Sequence, residues 1–229
     1  MTLETEVEQA GQPAEWSFKG QSQLACDRIL YWVGAMIVNA YARRMFKPDV
    51  VLHAPLPAGG KLLAVNHPST TDPFLALLLA SEQTTILIDD RLFKVPVFGT
   101  CLRRMGHVPV VPGEGHTAVE AAQALLKAGR TVAIFPEGAI SPLDGGFHQP
   151  RTGAARLVLS TGVPVIPVGV YLDRSHIRRF ETMIDGTPAV GTWYICGPYA
   201  ITVGKPLYFE GDVENRSYVR EVSECIMQR

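Results

Sequence analysis

The 229-residue chain has 47% hydrophobic and 19% charged residues, which excludes a disordered protein and suits one sizeable folded domain. Its formal net charge of −1, with no run of more than two Lys or Arg residues, excludes a general attraction to nucleic acid. The four cysteines form no C-x-x-C pair, and the six histidines show no H-x-x-x-H or H-E-x-x-H spacing. We therefore expect reduced thiols, no metal site and no nucleic-acid partner.

The N-terminal region divides into a tail and a helical segment. Residues 1–21 are polar and acidic, lack the features of a signal peptide, and are expected to form a disordered tail. Residues 22–46 include an uncharged stretch, 29–42, that is shorter than the roughly 20 residues a bilayer-spanning helix needs. Its aromatic residues and the arginines after it suit a membrane headgroup boundary. Two interpretations stay open: a buried helix, or an interfacial membrane helix that also packs partly on the domain.

Residues 47–229 are expected to form one domain in which apolar strands alternate with helices. The predicted strands are Lys61–Val65, Thr84–Ile88, His107–Val111, Thr131–Phe135 and Val163–Val170, with one or two more in Thr192–Val203. The predicted helices are Pro73–Ser81, Arg91–Arg103, Thr117–Ala128, Thr152–Ser160 and Val213–Met227. This alternation predicts a single α/β domain with a mostly parallel central sheet flanked by helices, preceded by an N-terminal amphipathic helical segment.

Three predicted strand ends carry residues suited to chemistry. Asn66 and His67 follow the first strand, Pro112-Gly113-Glu114 the third, and Pro136-Glu137-Gly138 the fourth. In an open α/β sheet, reactive groups collect beyond the carboxyl ends of the strands. A common site is therefore expected at that edge.

The segment from His67 to Asp72 predicts a catalytic pair. Asp72 lies five positions after His67, so a hydrogen bond between the two side chains needs a turn over residues 68–71. A carboxylate on one imidazole nitrogen leaves the other free to take a proton from a substrate hydroxyl, which would then attack directly. The alternative is structural: Asp72 before Pro73 suits a helix N-cap, and a strand-end histidine need not be catalytic. One carboxylate can also serve both purposes.

Further residues predict substrate binding. Glu137 lies on a turn where it can meet a substrate hydroxyl, and Gly138 allows a backbone amide to approach closely. Arg151 precedes a predicted helix whose first amides can bind an anion, although an ordinary turn and solvated arginines remain alternatives. The predicted substrate-binding residues are Asn66, Ser69, Arg103, Arg104, Glu137, Gly138 and Arg151.

Three motifs in this order resemble the glycerolipid acyltransferase family, whose familiar members are 1-acylglycerol-3-phosphate acyltransferases. They are Asn66-His67-x-x-x-x-Asp72, Phe135-Pro136-Glu137-Gly138 and Gly162-Val163-Pro164-Val165-Ile166-Pro167, and the resemblance covers roughly residues 45–210. It implies that His67 is the general base, that Asp72 orients it, and that Glu137 and Gly138 bind the acceptor. It also implies a helical membrane anchor at the N-terminus.

The resemblance further implies the substrates and the location. The acceptor hydroxyl would attack the thioester of acyl-CoA or acyl-carrier protein, with no cofactor and no covalent acyl-enzyme, in phospholipid biosynthesis at the cytoplasmic face of the cell membrane. Two arginines common in the family are replaced by Ile140 and Pro112. The expected acceptor is therefore lysophosphatidic acid, another lysophospholipid or a hydroxylated lipid without a phosphomonoester.

Two other functions compete with acyl transfer. A thioester or lipid hydrolase would use water in place of the acceptor, although the serine type is disfavoured because no G-x-S-x-G motif is present. A non-catalytic lipid-binding protein would be indifferent to changes at His67 and Asp72.

Overall fold

The computed structural model describes residues 25–229, so the predicted tail lies outside the described residues. The strands are β1 (Asp49–Leu52), β2 (Lys61–Val65), β3 (Thr84–Asp89), β4 (Val108–Val110), β5 (Thr131–Ile134), β6 (Val165–Leu172), β7 (Ile177–Ile184), β8 (Thr187–Tyr194) and β9 (Tyr199–Val203). The α-helices are α1 (Ala25–Met45), α2 (Asp72–Ala76), α3 (Phe98–Arg104), α4 (Gly115–Lys127), α5 (Gly153–Thr161) and α6 (Arg216–Met227). Short 3-10 helices cover Asp90–Lys94 and Arg174–His176.

Seven strands form the central sheet in the order β1-β9-β6-β2-β5-β3-β4. All neighbouring pairs are parallel except β6 with β9, while β7 and β8 form a separate antiparallel hairpin. Strand β2 is buried along its whole length because helices cover both faces of the sheet at its centre. The predicted fold class, an α/β fold with a mostly parallel sheet flanked by helices and an N-terminal helix, is confirmed.

Each face of the sheet has its own hydrophobic core. On one face, α1 and α2 bury residues such as Tyr31 and Leu75 against the strands. On the other face, α4, α5 and α6 contribute residues such as Ala122, Leu157 and Val222. Strands β2 and β5 are parallel neighbours between these two layers of helices. The segments that follow the two strands therefore lie side by side at the same edge of the sheet.

Two predicted helices are wrong in extent. Arg91–Arg103 is not one helix but a 3-10 helix followed by α3. The break falls at Pro96, which has no amide hydrogen, and at Val97, whose φ of 65° lies in the left-handed region. The helix predicted over Pro73–Ser81 ends at Ala76.

The β7–β8 hairpin was predicted only in part. Thr192–Tyr194 falls within the predicted strand region, but β7 and most of β8 do not. The turn between them is Asp185-Gly186, and both residues have positive φ values, 50° and 70°. An Asp-Gly pair between two strands is a strong hairpin signal, so the dipeptide was sufficient to find this element.

His107 makes the folded state sensitive to acid. Its imidazole is buried, and Nδ1 accepts a hydrogen bond of 3.2 Å from the Ile86 amide. Burial lowers the pKa of His107 to about 4 from its ordinary value near 6.5. Between these two pH values His107 is therefore protonated in the unfolded chain but neutral in the folded one. Stability falls as the pH drops from about 6.5 to about 4, by on the order of 3 kcal/mol for this one group.

The variant His107→Gln tests that contribution, because its amide oxygen can still accept from Ile86. Urea unfolding at neutral pH and near pH 4 should show a smaller acid-induced loss of unfolding free energy than in the parent protein. The same change at the exposed His53 should leave the loss unaltered. An equal acid-induced loss in all three proteins would contradict the assignment to His107.

Candidate active site

His67 and Asp72 form a hydrogen-bonded pair just beyond the end of β2. The turn that their five-residue spacing requires is present, with the Asp72 amide donating to the Ser69 carbonyl at 3.3 Å. His67 Nδ1 lies 3.1 Å from Asp72 Oδ2. Because an ionised carboxylate only accepts, Nδ1 carries the hydrogen and Nε2 keeps its lone pair. The His67 side chain is 15% exposed, whereas that of Asp72 is fully buried.

The Asp72 carboxylate is held by protein donors on both oxygens. Oδ2 accepts from the Ser69 amide at 2.7 Å as well as from His67, and Oδ1 accepts from the Ser69 hydroxyl at 2.6 Å. Oδ1 also accepts from the Tyr199 hydroxyl at 2.8 Å. The alternative that Asp72 is a helix cap is wrong, because Thr71 holds the N-cap position and Asp72 lies within the helix, its carboxylate turned back toward residues 67–69.

Glu137 joins the segments that follow β2 and β5. Its carboxyl group is 3% exposed. Oε1 accepts from the His67 amide at 3.2 Å and the Ser141 hydroxyl at 2.6 Å, while Oε2 accepts from the His148 amide at 2.8 Å. The Ser141 amide in turn donates to the His67 carbonyl at 2.7 Å. These bonds fix the His67 backbone, and acceptor binding by Glu137 stays a prediction.

Aromatic packing also orients the His67 ring. Phe135, the residue after β5, stacks on the imidazole with ring centroids 4.2 Å apart and an angle of 29° between the planes. A stacked neighbour on one face restricts rotation of the imidazole while its edge stays engaged with Asp72. The His67 ring is therefore held from its backbone, its edge and its face.

Gly138 and Arg151 lie together beside this pair. Gly138 has a φ of 63°, a conformation that favours glycine, and a Cβ at this position would collide with the Arg151 guanidinium. The Arg151 amide donates to the Pro136 carbonyl at 2.8 Å, and its side chain is exposed. The structure thus brings one predicted cation next to the segment that holds His67.

Other predicted site residues are engaged elsewhere. Asn66 continues the pairing of β2 with β6 through its side chain, donating to the Val170 carbonyl at 3.0 Å and accepting from the Val170 amide. Arg103 lies 5.8 Å from the centre of the Phe93 ring, and Arg104 bonds Asp27 of α1 at 2.7 Å. Strand β4 lies at the edge of the sheet, and β3 separates it from β5. The Pro112-Gly113-Glu114 segment that follows β4 therefore lies apart from the segments that follow β2 and β5.

The hairpin supplies a contact that the sequence did not reveal. The Thr70 amide donates to the Thr192 carbonyl at 2.7 Å, and the Thr70 hydroxyl accepts from the Thr192 amide at 2.9 Å. The Thr71 hydroxyl donates to the Tyr194 carbonyl at 2.9 Å and accepts from the Tyr194 amide at 3.1 Å. Strand β8, which lies outside the seven-stranded sheet, therefore holds the turn between His67 and Asp72 through these hydrogen bonds.

The fold is similar to that of a solved acyltransferase. The crystal structure of the 1-acyl-sn-glycerophosphate (LPA) acyltransferase PlsC from Thermotoga maritima matches with a TM-score of 0.57, covering 88% of this chain and 78% of that one. The two sequences are 23% identical, so this likeness concerns the fold alone.

Two proteins of similar sequence are also named as acyltransferases. A chloroplastic 1-acyl-sn-glycerol-3-phosphate acyltransferase of Brassica napus is 32% identical over 106 residues, which are 45% of this chain and 30% of the relative. The enzyme of that name from Borreliella burgdorferi is 25% identical over 152 residues, covering 64% of this chain and 56% of the relative. The chain thus matches between about a third and just over half of the length of these relatives.

A family model described as Acyltransferase matches residues 47–171. This range holds the His67–Asp72 turn, the Phe135–Gly138 segment and Arg151, and it covers more than half of the chain. The chain therefore belongs to the acyltransferase family.

Proposed function

We propose that this protein transfers an acyl group from a thioester, acyl-CoA or acyl-carrier protein, to a hydroxyl of a lysophospholipid, in phospholipid biosynthesis. The observation that carries the proposal is the His67–Asp72 pair, in which Nδ1 donates to a buried carboxylate and Nε2 is left to accept a proton. An imidazole held in one tautomer by a carboxylate acts as a general base toward a hydroxyl.

The reaction then needs no protein nucleophile. The acceptor hydroxyl gives its proton to His67 Nε2 while its oxygen attacks the thioester carbonyl. The tetrahedral intermediate expels the thiolate, which takes the proton back from the imidazolium and leaves as free thiol. Asp72 stabilises the imidazolium between the two steps.

Arg151 is proposed as the cation that meets an anionic acceptor. Its guanidinium lies against Gly138, on the segment whose Glu137 holds the His67 backbone. Planar guanidinium groups bind phosphate through paired hydrogen bonds, so a lysolipid phosphate next to Gly138 would place its hydroxyl toward His67.

A panel of acceptors tests the proposed reaction. Purified protein is mixed with acyl-CoA or acyl-carrier protein and with lysophosphatidic acid, other lysophospholipids or an uncharged hydroxylated lipid, and free thiol and product mass are measured. Thiol release that depends on an acceptor supports acyl transfer. Release at full rate without acceptor would instead indicate a hydrolase, and lipid binding without any release would indicate a binding protein.

Helix α1 supports a membrane-surface location. Tyr31, Ala35 and Ala42 pack into the domain. The opposite side of the helix exposes apolar residues, with Arg28, Arg43 and Arg44 exposed near its ends. The exposed apolar residues are Ile29, Trp32, Val33, Met36, Ile37 and Tyr41. Within residues 25–229 no helix has both the length and the apolar character to cross a bilayer.

We propose that this apolar stripe lies in the headgroup region at the cytoplasmic face of the membrane, with the arginines against anionic lipid. The expected result is that Met36→Glu lowers binding to anionic vesicles about tenfold, because the variant loses an apolar side chain that would enter the membrane and gains a negative charge that anionic lipid repels. Cosedimentation with vesicles measures the effect.

Tyr208→Glu provides a matched control. Met36 is 63% exposed and Tyr208 is 67% exposed, so both changes replace an exposed apolar residue by the same charge, but Tyr208 lies outside α1. Equal vesicle binding by the two variants would contradict a role for α1 at the membrane.

A further inference from the structure

Tyr199, the first residue of β9, reaches the catalytic pair from a distant part of the chain. Its hydroxyl donates to Asp72 Oδ1 at 2.8 Å, across 127 positions in the sequence. The ring is buried and packs against Phe46 and Tyr194, with ring centroids 5.6 and 6.0 Å away. Because Tyr199 also pairs with Leu172 in the central sheet, its hydroxyl has a fixed position relative to the sheet.

The four donors to Asp72 come from two sources. Three belong to the turn that contains the pair: His67 Nδ1, the Ser69 amide and the Ser69 hydroxyl. The fourth, Tyr199, belongs to the sheet. The three local donors move together with the turn, whereas the bond from β9 ties the carboxylate directly to the central sheet.

Tyr199 is suited to act as a permanent donor. Burial and the adjacent Asp72 carboxylate raise the pKa of Tyr199 well above its usual value. The phenol therefore keeps its proton wherever the protein is folded and active. Since its ring is buried, it also has no direct route to a substrate.

We propose that Tyr199 is a positioning residue for acyl transfer, holding the Asp72 carboxylate so that Oδ2 faces His67 Nδ1. This inference rests on the proposed function and extends it beyond the residues of the sequence motifs. Without the hydroxyl, Oδ1 keeps a single donor, and the carboxylate is free to turn about its last bond. The imidazole is then held less firmly in the tautomer that accepts a proton at Nε2.

The variant Tyr199→Phe removes the hydroxyl and keeps the ring. We expect kcat to fall about tenfold, the effect of losing one hydrogen bond to a charged group, with KM for both substrates unchanged. The matched control is Tyr218→Phe on α6, which removes a tyrosine hydroxyl that donates to the Glu210 carbonyl at 2.9 Å and not to Asp72. The control should keep the parent kcat.

A spectroscopic readout separates positioning from general loss of structure. In protein labelled with ¹⁵N-histidine, the Nδ1 proton of His67 is identified as the resonance missing from His67→Ala. Tyr199→Phe should shift this resonance, because the carboxylate that accepts the hydrogen bond changes orientation and loses a donor, while Tyr218→Phe should leave it in place. Circular dichroism verifies that each variant is folded.

A double-mutant cycle adds a second kinetic test of Tyr199. Ser69→Ala removes the other donor to Oδ1, and its effect on kcat should couple with that of Tyr199→Phe, but add independently with that of Tyr218→Phe. In a Ser69→Ala background alone, the His67 Nδ1 resonance should also shift.

The outcomes distinguish this inference from the proposed function. An unshifted resonance and a parent-like kcat in folded Tyr199→Phe would overturn the positioning role while leaving acyl transfer standing. A parent protein without acceptor-dependent transfer would overturn the proposed function, and the resonance would still report whether Tyr199 acts on the pair.

Discussion

Replacing His67 by alanine is expected to lower kcat for acyl transfer by about 10³-fold, with the fold retained. The reason is chemical, since in the proposed mechanism Nε2 takes the acceptor proton, and Nδ1 is already hydrogen-bonded to Asp72. The main-chain bonds of His67 to Glu137 and Ser141 do not depend on its side chain, so they should persist in the variant. Acceptor-dependent thiol release measures the effect.

His53→Ala is the control for this change. His53 is an exposed histidine on the segment that follows β1, and its backbone amide donates to the Val203 carbonyl at 2.9 Å. The variant should keep the parent kcat. A fully active His67→Ala protein would contradict the general-base mechanism. An inactive His53→Ala protein would show that the loss of thiol release is not specific to the His67–Asp72 site.

Glu137→Gln is expected to have the largest effect on stability, because the two side chains have the same size but different hydrogen-bonding groups. The carboxylate accepts from three donors, the amides of His67 and His148 and the Ser141 hydroxyl. In the variant, the NH2 group of glutamine faces at least one of these donors, and both donors then lack an acceptor inside the protein. We expect the free energy of unfolding to fall by about 2–3 kcal/mol, and kcat to fall with it because the hydrogen bonds that hold the His67 backbone are weaker to a neutral amide than to a carboxylate.

Urea unfolding and the thiol-release assay measure the two effects of Glu137→Gln. Glu114→Gln serves as the control, since Glu114 is exposed and its side chain does not cap the helix that follows it. That variant should differ from the parent protein by no more than about 0.5 kcal/mol. If Glu137→Gln retained full stability but lost acceptor affinity, Glu137 would be a substrate-binding residue and not the anchor described above.

The main elements of the fold could be predicted because their signals are local. Apolar runs such as Lys61–Val65 lie between helices on both faces, and this double burial makes them continuous in sequence. The α3 region was harder, because its helical residues lie on both sides of a proline and the break depends on the single residue Val97. Strand β1 is absent from the predicted strands although Val50, Val51 and Leu52 form a short apolar run, and all of its residues are exposed at the edge of the sheet.

The candidate site was accessible from the sequence only where neighbours in the chain are also neighbours in space. The spacing of His67 and Asp72 required a turn, and the turn is there. The meeting of the His67 and Glu137 segments was expected from the rule for parallel strand ends, although its form, a carboxylate bonded to a backbone amide, was not. Nothing in the sequence joins Tyr199 to Asp72, since pairing of β6 with β9 creates that contact.

The sequence by itself determined the α/β class, the spacing of His67 and Asp72 and the family resemblance, because periodic burial and short motifs are properties of local chain order. The tertiary structure decided which donors surround the Asp72 carboxylate, which predicted cation lies beside the pair, and which face of α1 stays uncovered. Contacts such as those of Tyr199 with Asp72 and of Tyr31 with Thr84 join segments more than 50 residues apart. Such contacts arise only when the strands pair and the helices pack on them.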